Sequence, residues 1–349
     1  MHAHATQWPA SISDDTTLDD LLSTPSPAAI DALGQLEGDL IVLGVAGKMG
    51  PTLARMARRA SDAAGVSRRV IGVSRFTEPA HEEALNAVGV ETIRCDLLDE
   101  AAVARLPDAP LVVYMAGRKF GSTGLESLTW AMNAWLPAVV CRRYASSRIA
   151  AFSTGNVYGL TPAGRGGSRE SDPVAPVGEY AMSCLARERM FEHFSRSHGT
   201  LVSILRLNYA TEMRYGLLVD LARKVVSGTP IELAMGHANV IWQGDANAMS
   251  LVALRHASSP PYVVNIAGRE ELSVKQVCLA LGARLGREVH FTGAEATDAL
   301  LSNGSRGWTD LGAPQVELAQ LIDWTADWIS RGGASLGKPT HFESRDGRF

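Results

Sequence analysis

The 349-residue sequence predicts an α/β protein with a doubly wound parallel sheet and a smaller C-terminal lobe. Short apolar segments, such as residues 39–44 and 111–117, are typical of strands buried on both faces of a parallel sheet. Amphipathic helical patterns alternate with these segments, as crossover helices between parallel strands do. From about residue 210 the alternation gives way to helical stripes, which indicate a second lobe.

Composition and charge narrow the class of protein. Hydrophobic residues make up 46% of the chain and charged residues 20%, as in an ordinary globular protein. The net charge of −4, with no basic stripe, argues against nucleic acid as a partner. The sequence shows no signal pattern and no apolar run of membrane-helix length, so we expect a cytoplasmic protein without a membrane partner. Its four cysteines lack metal-ligand spacing, so we expect no metal site.

A glycine-rich turn follows the first predicted strand. Its residues of interest are Gly44, Gly47, Lys48, Met49 and Gly50. A helical pattern starts immediately afterwards, so the turn connects a strand to a helix N-terminus. Glycines in that context let backbone approach a pyrophosphate, while the helix N-terminus offers unpaired N–H groups and a positive dipole. The turn therefore predicts a dinucleotide site, although tight-turn geometry alone would also account for the glycines.

The next strands are predicted at residues 69–74, 90–95, 111–117, 149–153 and 201–206. The first of these ends in Ser74 and Arg75, with no carboxylate before Glu78. An acidic side chain at this point binds the ribose hydroxyls of NAD, whereas an arginine favours the 2′-phosphate of NADP. We therefore expect NADP or NAD as cofactor and favour NADP, with a solvated Arg75 as the alternative.

Two segments carry reactive groups. Residues 152–159 place a hydroxyl at Thr154 after the fifth strand, and residues 178–184 place a phenol at Tyr180 near the start of a helix. Cys184 follows Tyr180 by four residues, so both lie on one helix face. The segments resemble the active-site signature of extended short-chain dehydrogenases/reductases, the NAD-dependent epimerase/dehydratase family. That family has Tyr-x-x-x-Lys, and this sequence has Cys184 at the lysine position.

The resemblance implies further cofactor contacts. It implies that Asp96 hydrogen-bonds the adenine, that the backbone of Leu97 assists, and that Ala116 and Gly117 let the chain pass beside the cofactor. It also implies that the turn at Asn208 meets the nicotinamide amide.

Composition at the two ends and the resemblance, which covers roughly residues 38–330, divide the chain into four parts. These are an N-terminal extension (residues 1–37) with a short helix near 27–36, a dinucleotide-binding Rossmann core (38–210), a lobe that is mostly for substrate but includes returning core segments (211–335), and a C-terminal tail (336–349). In the helix before the fifth strand, Asn133 stands where the family has a structural asparagine. Pro137 in the same helix predicts a kink or a first-turn location.

The implied function is that of an NAD(P)-dependent oxidoreductase or epimerase acting on a sugar, sugar acid or sugar nucleotide. Hydride transfer would be assisted by Thr154 and Tyr180, and the partner would be a small-molecule carbohydrate; we also allow for a homodimer. The family lysine lowers the pKa of the tyrosine, which a neutral cysteine cannot do.

The cysteine leaves three readings open. A water or another cation could substitute for the lysine, the candidate cations being Lys119, Arg187 and Arg214. The protein could instead be a catalytically degenerate NADP(H)-binding sensor or regulatory protein. In the third reading Cys184 itself reacts as a thiolate.

Overall fold

The computed structural model describes residues 8–119 and 124–347, and its centre is a seven-stranded parallel sheet. The strands are β1 (Leu40–Leu43), β2 (Val70–Ser74), β3 (Glu91–Arg94), β4 (Leu111–Tyr114), β5 (Arg148–Thr154), β6 (Leu201–Leu207) and β7 (Tyr262–Ile266). Their order across the sheet is β7-β6-β5-β4-β1-β2-β3, and each neighbouring pair is parallel. The order reverses between β1 and β4, which is where such sheets bind ligands.

Helices cover both faces of the sheet and build the second lobe. They are α1 (Asp15–Leu22), α2 (Pro27–Gln35), α3 (Gly50–Ala63), α4 (Pro79–Ala87), α5 (Glu100–Ala104), α6 (Glu126–Trp130), α7 (Leu136–Arg143), α8 (Gly178–His198), α9 (Leu217–Ser227), α10 (Gln243–His256), α11 (Val274–Leu285), α12 (Ser305–Asp310) and α13 (Leu318–Ser330). Within the described ranges, no helix combines the length and the apolarity needed to cross a bilayer.

Alternate residues of each strand enter two different cores. On one face, Leu40 and Val42 of β1 pack with residues of α2, α3 and α10. On the other face, Ile41 and Leu43 pack with residues of α5, α7 and α8. The strands are therefore apolar throughout, because both of their faces are buried. The predicted doubly wound α/β fold is confirmed.

Strand β7 was not predicted. It closely follows Pro260 and contains the polar residue Asn265, so it lacks the continuous apolarity of β1 and β4. Asn265 is fully buried, and its side chain donates to the carbonyls of Ser168 (2.9 Å) and Asn303 (3.0 Å). These long-range partners have no signature in the local sequence.

Helix α1 and the C-terminal tail pack into the core of the second lobe, whereas α2 packs against the sheet. Helix α2 matches the predicted short helix, whereas α1 was not expected; it is capped by Asp14, which accepts from Thr17 N–H at 2.8 Å. Leu18 and Leu22 of α1 are fully buried in the core of the second lobe, with residues of α9, α11 and α13. Phe342 of the tail enters the same core.

Pro137 lies in the first turn of α7, one of the two locations predicted for it. The preceding residues, Ala131–Trp135, form a π-helical segment between α6 and α7. Such segments widen a helix and are common at functional sites. Here the segment carries Asn133, which is fully buried beside the cavity described below.

Candidate active site

A cavity of about 720 Å³ lies at the carboxyl ends of the central strands. It extends from the glycine turn after β1, past the ends of β4, β5 and β6, to Tyr180 on α8. Residues 337–341 of the C-terminal tail form part of its wall. Its position at the reversal of strand order is the expected place for a dinucleotide in a sheet of this type.

The three glycines of the turn have different roles. Gly44 has φ +89°, and a Cβ there would lie 2.8 Å from the Ala116 Cα. A Cβ on Gly50 would lie 2.1 Å from the Val45 carbonyl oxygen. Both glycines are therefore needed for the turn itself. Gly47 lines the cavity, and the nearest atom to a Cβ there is 3.4 Å away, so its missing side chain leaves room for a ligand.

Helix α3 begins at this turn without a side-chain cap. Its N-cap residue, Met49, makes no side-chain hydrogen bond to the first turn of the helix. The first-turn N–H groups of a 14-residue helix thus adjoin the cavity, as phosphate binding requires.

Lys48 extends from the turn into the cavity. Its Nζ lies 3.2 Å from the centroid of the Tyr215 ring. Burial lowers the pKa of Lys48 to about 6, and repulsion from Lys119 and Lys338 acts in the same direction. The lysine is therefore poised to gain a proton when an anion binds beside it.

The residues predicted for the adenosine end lie at the ends of β2 and β3, next to the glycine turn. Arg75 is exposed, and Asp96 accepts a hydrogen bond from Leu98 N–H at 3.0 Å. Ser74 and Leu97 stand beside them, and none of the four lines the cavity. Ala116, also outside the cavity lining, is the residue against which Gly44 packs.

Thr154 and Tyr180 meet at the other end of the cavity. Thr154 ends β5, where its hydroxyl donates to Asn156 Oδ1 (2.9 Å) and accepts from Asn156 N–H (3.1 Å). The Tyr180 phenol shares side-chain hydrogen bonds with Thr154 and Cys184. Burial raises the pKa of Tyr180, and Cys184 raises it further, whereas Arg187 and the Thr154 hydrogen bond act in the opposite direction.

Cys184 is fully buried and packs against Val157 and Tyr158. Burial raises the pKa of its thiol, with Arg187 opposing that rise. A thiol with a raised pKa is neutral at pH 7 and is a poor nucleophile. These surroundings therefore disfavour a reactive thiolate at this position.

Arg187 provides a buried cation on the same face of α8. Its guanidinium donates to the Phe152 carbonyl (2.8 Å) and to Asn133 Oδ1 (2.6 Å). A Cβ on Gly117 would lie 2.3 Å from the Arg187 Nη2, so a glycine at 117 is what makes room for the guanidinium. Gly117 thus serves the arginine directly, a role that the sequence did not reveal.

Asn133 holds this cation in place. Besides accepting from Arg187, its Oδ1 accepts from Arg118 N–H (2.9 Å), and its Nδ2 donates to the Arg118 carbonyl (2.9 Å) and to Ser183 Oγ (2.9 Å). One side chain therefore joins the loop after β4 to the helix that carries Tyr180.

The other two candidate cations differ in position. Lys119 lines the cavity, with its Nζ 5.7 Å from the Tyr180 ring centroid and 3.4 Å from the Thr340 carbonyl oxygen. Burial lowers the pKa of Lys119 to about 8. Arg214 lies outside the cavity lining and pairs with three carboxylates. Those carboxylates are Asp15, Asp19 and Glu212.

Residues 40–267, well over half of the chain, match the model of the NAD dependent epimerase/dehydratase family. The chain belongs to this family. Among curated proteins, no sequence matches significantly.

Solved structures of similar fold include family enzymes from several bacteria. A dTDP-glucose 4,6-dehydratase from Streptomyces venezuelae, with NAD and TYD bound, aligns with a TM-score of 0.71 and 20% identity over 84% of this chain and 97% of its own. A UDP-glucuronic acid 4-epimerase variant from Bacillus cereus aligns with a TM-score of 0.70 and 18% identity over 84% of this chain and 99% of its own. The UDP-glucose 4-epimerase of Thermus thermophilus, in complex with NAD, aligns with a TM-score of 0.68 and 21% identity over 84% of this chain and 99% of its own.

This epimerase/dehydratase family member has cavity residues that the sequence did not single out. The clearest are Tyr215, which faces Lys48, and residues 337–341 of the tail. Neither lies in a motif or a periodic pattern, so local sequence offered no signal for them. Asn208 was expected at the cofactor and does line the cavity; it is 2% exposed, and in the described structure its Nδ2 has no hydrogen-bond partner. In the same described ranges, no three His, Cys, Asp or Glu side chains cluster as metal ligands would.

Proposed function

We propose that this family member binds a nicotinamide dinucleotide along the cavity and oxidises or epimerises a carbohydrate at its Tyr180 end. One observation carries the proposal: the glycine turn after β1 and the hydrogen-bonded Thr154–Tyr180 pair open into the same cavity. A phosphate site and a proton-transfer group in one cavity are what nicotinamide-dependent chemistry on an alcohol requires.

The residues present fit the dinucleotide. Gly47 leaves space beside the turn, the uncapped N-terminus of α3 offers N–H donors, and Lys48 supplies an ammonium group once an anion binds beside it. At the other end, the unpartnered Asn208 Nδ2 is a donor suited to a carboxamide oxygen. When bound, the cofactor would supply the acceptor and donor of hydride.

NADP is the form of the cofactor that we favour. Arg75 is exposed at the end of β2, and the neighbouring Ser74 offers no carboxylate to repel a 2′-phosphate. A guanidinium can form two parallel hydrogen bonds with a phosphate group. The compared dehydratase and epimerase structures contain NAD, so the arginine is the reason to expect a different preference here.

In the proposed chemistry, Tyr180 must first lose its own proton to solvent. Its phenolate oxygen then takes the proton of the substrate hydroxyl, and the carbon that bears this hydroxyl gives up a hydride that the nicotinamide ring would accept. Thr154 hydrogen-bonds Tyr180 and helps hold its oxygen in position. Arg187 takes over part of the electrostatic role of the missing lysine, because its charge lowers the pKa of Tyr180. Lys119, 5.7 Å from the ring of Tyr180, adds a second cation at this end.

The proposed substrate is a carbohydrate: a sugar, a sugar acid or a sugar nucleotide. The support is the family and the compared enzymes, whose names specify dTDP-glucose, UDP-glucuronic acid and UDP-glucose. The cavity also lies against the second lobe, since Tyr215 and Leu217 form part of its wall.

A second candidate is a protein that binds NADP(H) without turnover and acts as a sensor. It is favoured by the raised pKa of Tyr180, whose phenol is hydrogen-bonded on α8 to a neutral thiol instead of an ammonium. A phenol that stays protonated is a poor base at neutral pH.

One experiment separates the two candidates. NADPH, NADP⁺, NADH and NAD⁺ are titrated against the protein, and the bound forms are then screened for turnover of sugars, sugar acids and sugar nucleotides. Gly47→Val is the control, because it fills cavity space at a position where a side chain meets no backbone clash. Binding without turnover of any substrate supports the sensor; unchanged dinucleotide affinity in folded Gly47→Val contradicts both candidates.

A further inference from the structure

Basic side chains line the cavity. No aspartate or glutamate in the described ranges lines it, whereas five lysines and arginines do: Lys48, Arg118, Lys119, Arg187 and Lys338. This arrangement contrasts with the chain as a whole, which has a net charge of −4. A concentration of one charge sign inside a cavity selects ligands of the opposite sign.

The charges are distributed between two ends. Lys48 lies in the glycine turn, where a cofactor pyrophosphate would be, and Arg187 is held by Asn133 and the Phe152 carbonyl. Lys119 and Lys338 come from the loop after β4 and from the tail. Lys119 lies near both Tyr180 and Thr340, and the charges of Lys119 and Lys338 also act on Lys48.

The tail segment that carries Lys338 is fixed in place. Thr340 donates to Asp220 Oδ2 from its N–H (2.7 Å) and from its hydroxyl (2.6 Å). Phe342 is 1% exposed in the core of the second lobe. Further on, Gly347 packs against Gly178 at the start of α8, where a Cβ would lie 2.4 Å from the Gly347 carbonyl oxygen. The segment is therefore a built wall of the cavity.

We propose that Lys119 and Lys338 bind a negatively charged group of the substrate, a carboxylate or a phosphate, inside this cavity. The inference rests on the proposed function and specifies its substrate class. Asp220 is an acidic group that acts on Lys119, but it is bonded to Thr340 behind the wall and does not line the cavity. An anion entering the cavity would offset the cost of holding these ammonium groups in one cavity.

The test compares probes that differ in charge. Glucose, glucuronate and glucose 6-phosphate are titrated by calorimetry into the protein alone and into protein saturated with NADPH. We expect one charged probe to bind at least tenfold more tightly than glucose, and the better of the two identifies carboxylate or phosphate. Inorganic phosphate should compete with it.

The variants are Lys119→Gln and Lys338→Gln, with Lys275→Gln as the matched control. Lys275 is an exposed lysine of α11 outside the cavity lining, so the control makes the same charge change elsewhere. Loss of one charged hydrogen bond should weaken the charged probe by about tenfold or more in each cavity variant and leave glucose unchanged. Lys275→Gln should behave as wild type.

Three results overturn the inference. In the first, glucuronate and glucose 6-phosphate bind no more tightly than glucose. In the second, neither cavity variant changes the affinity for the charged probe. In the third, the variants weaken only NADPH binding, which would assign the lysines to the cofactor. Failure of the wild type to bind NADPH contradicts the proposed function. It does not affect the test of the anion site, which the titrations into the protein alone still decide.

Discussion

Arg187 lies two helical turns beyond Tyr180 on the same face of α8, with Cys184 between them. The charge of the Arg187 guanidinium lowers the pKa of the Tyr180 phenol, whereas the Cys184 thiol raises it. The cation of this site is thus displaced along the helix from the position where the resembled signature has its lysine. This displacement sets the expected behaviour of the variants below.

Replacing Tyr180 with phenylalanine should abolish turnover and leave dinucleotide affinity within a few fold. The hydroxyl is the proton acceptor of the proposed reaction, while the cofactor contacts lie elsewhere along the cavity. Tyr144→Phe is the control, because it removes another hydroxyl, bonded to the Pro107 carbonyl at 3.2 Å and outside the cavity lining. Steady-state kinetics and NADPH titration measure both effects. Intact turnover in Tyr180→Phe would show that another group transfers the proton.

Replacing Arg187 with methionine should shift the rise of oxidation rate with pH to higher pH. Removing a nearby cation raises the pKa of the phenol, so more alkaline solution is needed to ionise it. The lost hydrogen bonds to Asn133 and Phe152 should also cost about 2–4 kcal/mol of unfolding free energy. Arg187→Lys keeps the charge and should restore much of the pH profile. If Arg187→Met leaves the pH profile of the oxidation rate unchanged, Arg187 does not influence the ionisation of Tyr180.

Lys48 should make folding stability rise with pH above about 6. Its pKa is lowered from 10.5 to about 6 in the folded protein, so between these values the unfolded chain binds more protons at this side chain. Stability therefore increases with pH across that window and is reduced below it, where the buried ammonium persists. Lys48→Met should remove this component, while Lys275→Met, on the surface, should not. Urea unfolding between about pH 6 and 10 measures the difference. Parallel profiles for wild type and Lys48→Met would contradict the prediction.

Arg75→Ala should reduce NADPH affinity and leave NADH affinity unchanged. A guanidinium–phosphate contact at an exposed site contributes about 1–2 kcal/mol, roughly tenfold in affinity. Arg142→Ala removes an exposed arginine of α7 that pairs with Glu100 and serves as the control. Equal affinity of the wild type for NADH and NADPH would refute the preference itself.

The parts of the fold that sequence could predict are those with a local signal. The apolar strands β1 and β4 and the strand–glycine–helix turn at Gly44 depend on residues close together in the chain. Strand β7 depends on pairing with the distant strand β6. Helix α1 has a local signal, the cap Asp14 with Leu18 and Leu22 four residues apart, but it is only 8 residues long and its burial depends on the second lobe. Local patterns thus predicted the sheet that positions the cavity better than the elements at its edges.

The candidate site shows the same division. Thr154 and Tyr180 were identifiable because their segments resemble a family signature, and the structure places both at the cavity. The tail is polar and shows neither helical nor strand periodicity, so the sequence did not indicate that it lines the cavity. Thr340 and Phe342 fix it through tertiary contacts alone. Among the three candidate cations, sequence could not separate Arg214, which is bound by carboxylates, from Arg187.

Introducing lysine at position 184 should destabilise the protein unless Arg187 is changed as well. The new ammonium would lie one helical turn from a buried guanidinium, and two like charges in one buried region raise the free energy of the folded state. We expect Cys184→Lys alone to unfold at lower urea concentration than wild type. The double variant Cys184→Lys, Arg187→Met should recover stability and show a rate rise at lower pH. Cys184→Met, which adds bulk without charge, controls for packing; equal losses for methionine and lysine would show that charge is not the cause.

Gly117 is a third position that depends on the buried Arg187 cation. It is the residue that admits the Arg187 guanidinium, and a side chain there would collide with it at 2.3 Å. Glycine at 117, arginine at 187 and a small neutral residue at 184 are thus interdependent, and the order in which they can be exchanged is restricted. A lysine-based ancestor or descendant would have to pass through a state with two buried cations or with none. We therefore expect a substitution at one of these three positions to be tolerated best when it keeps the space at 117 and a single buried cation.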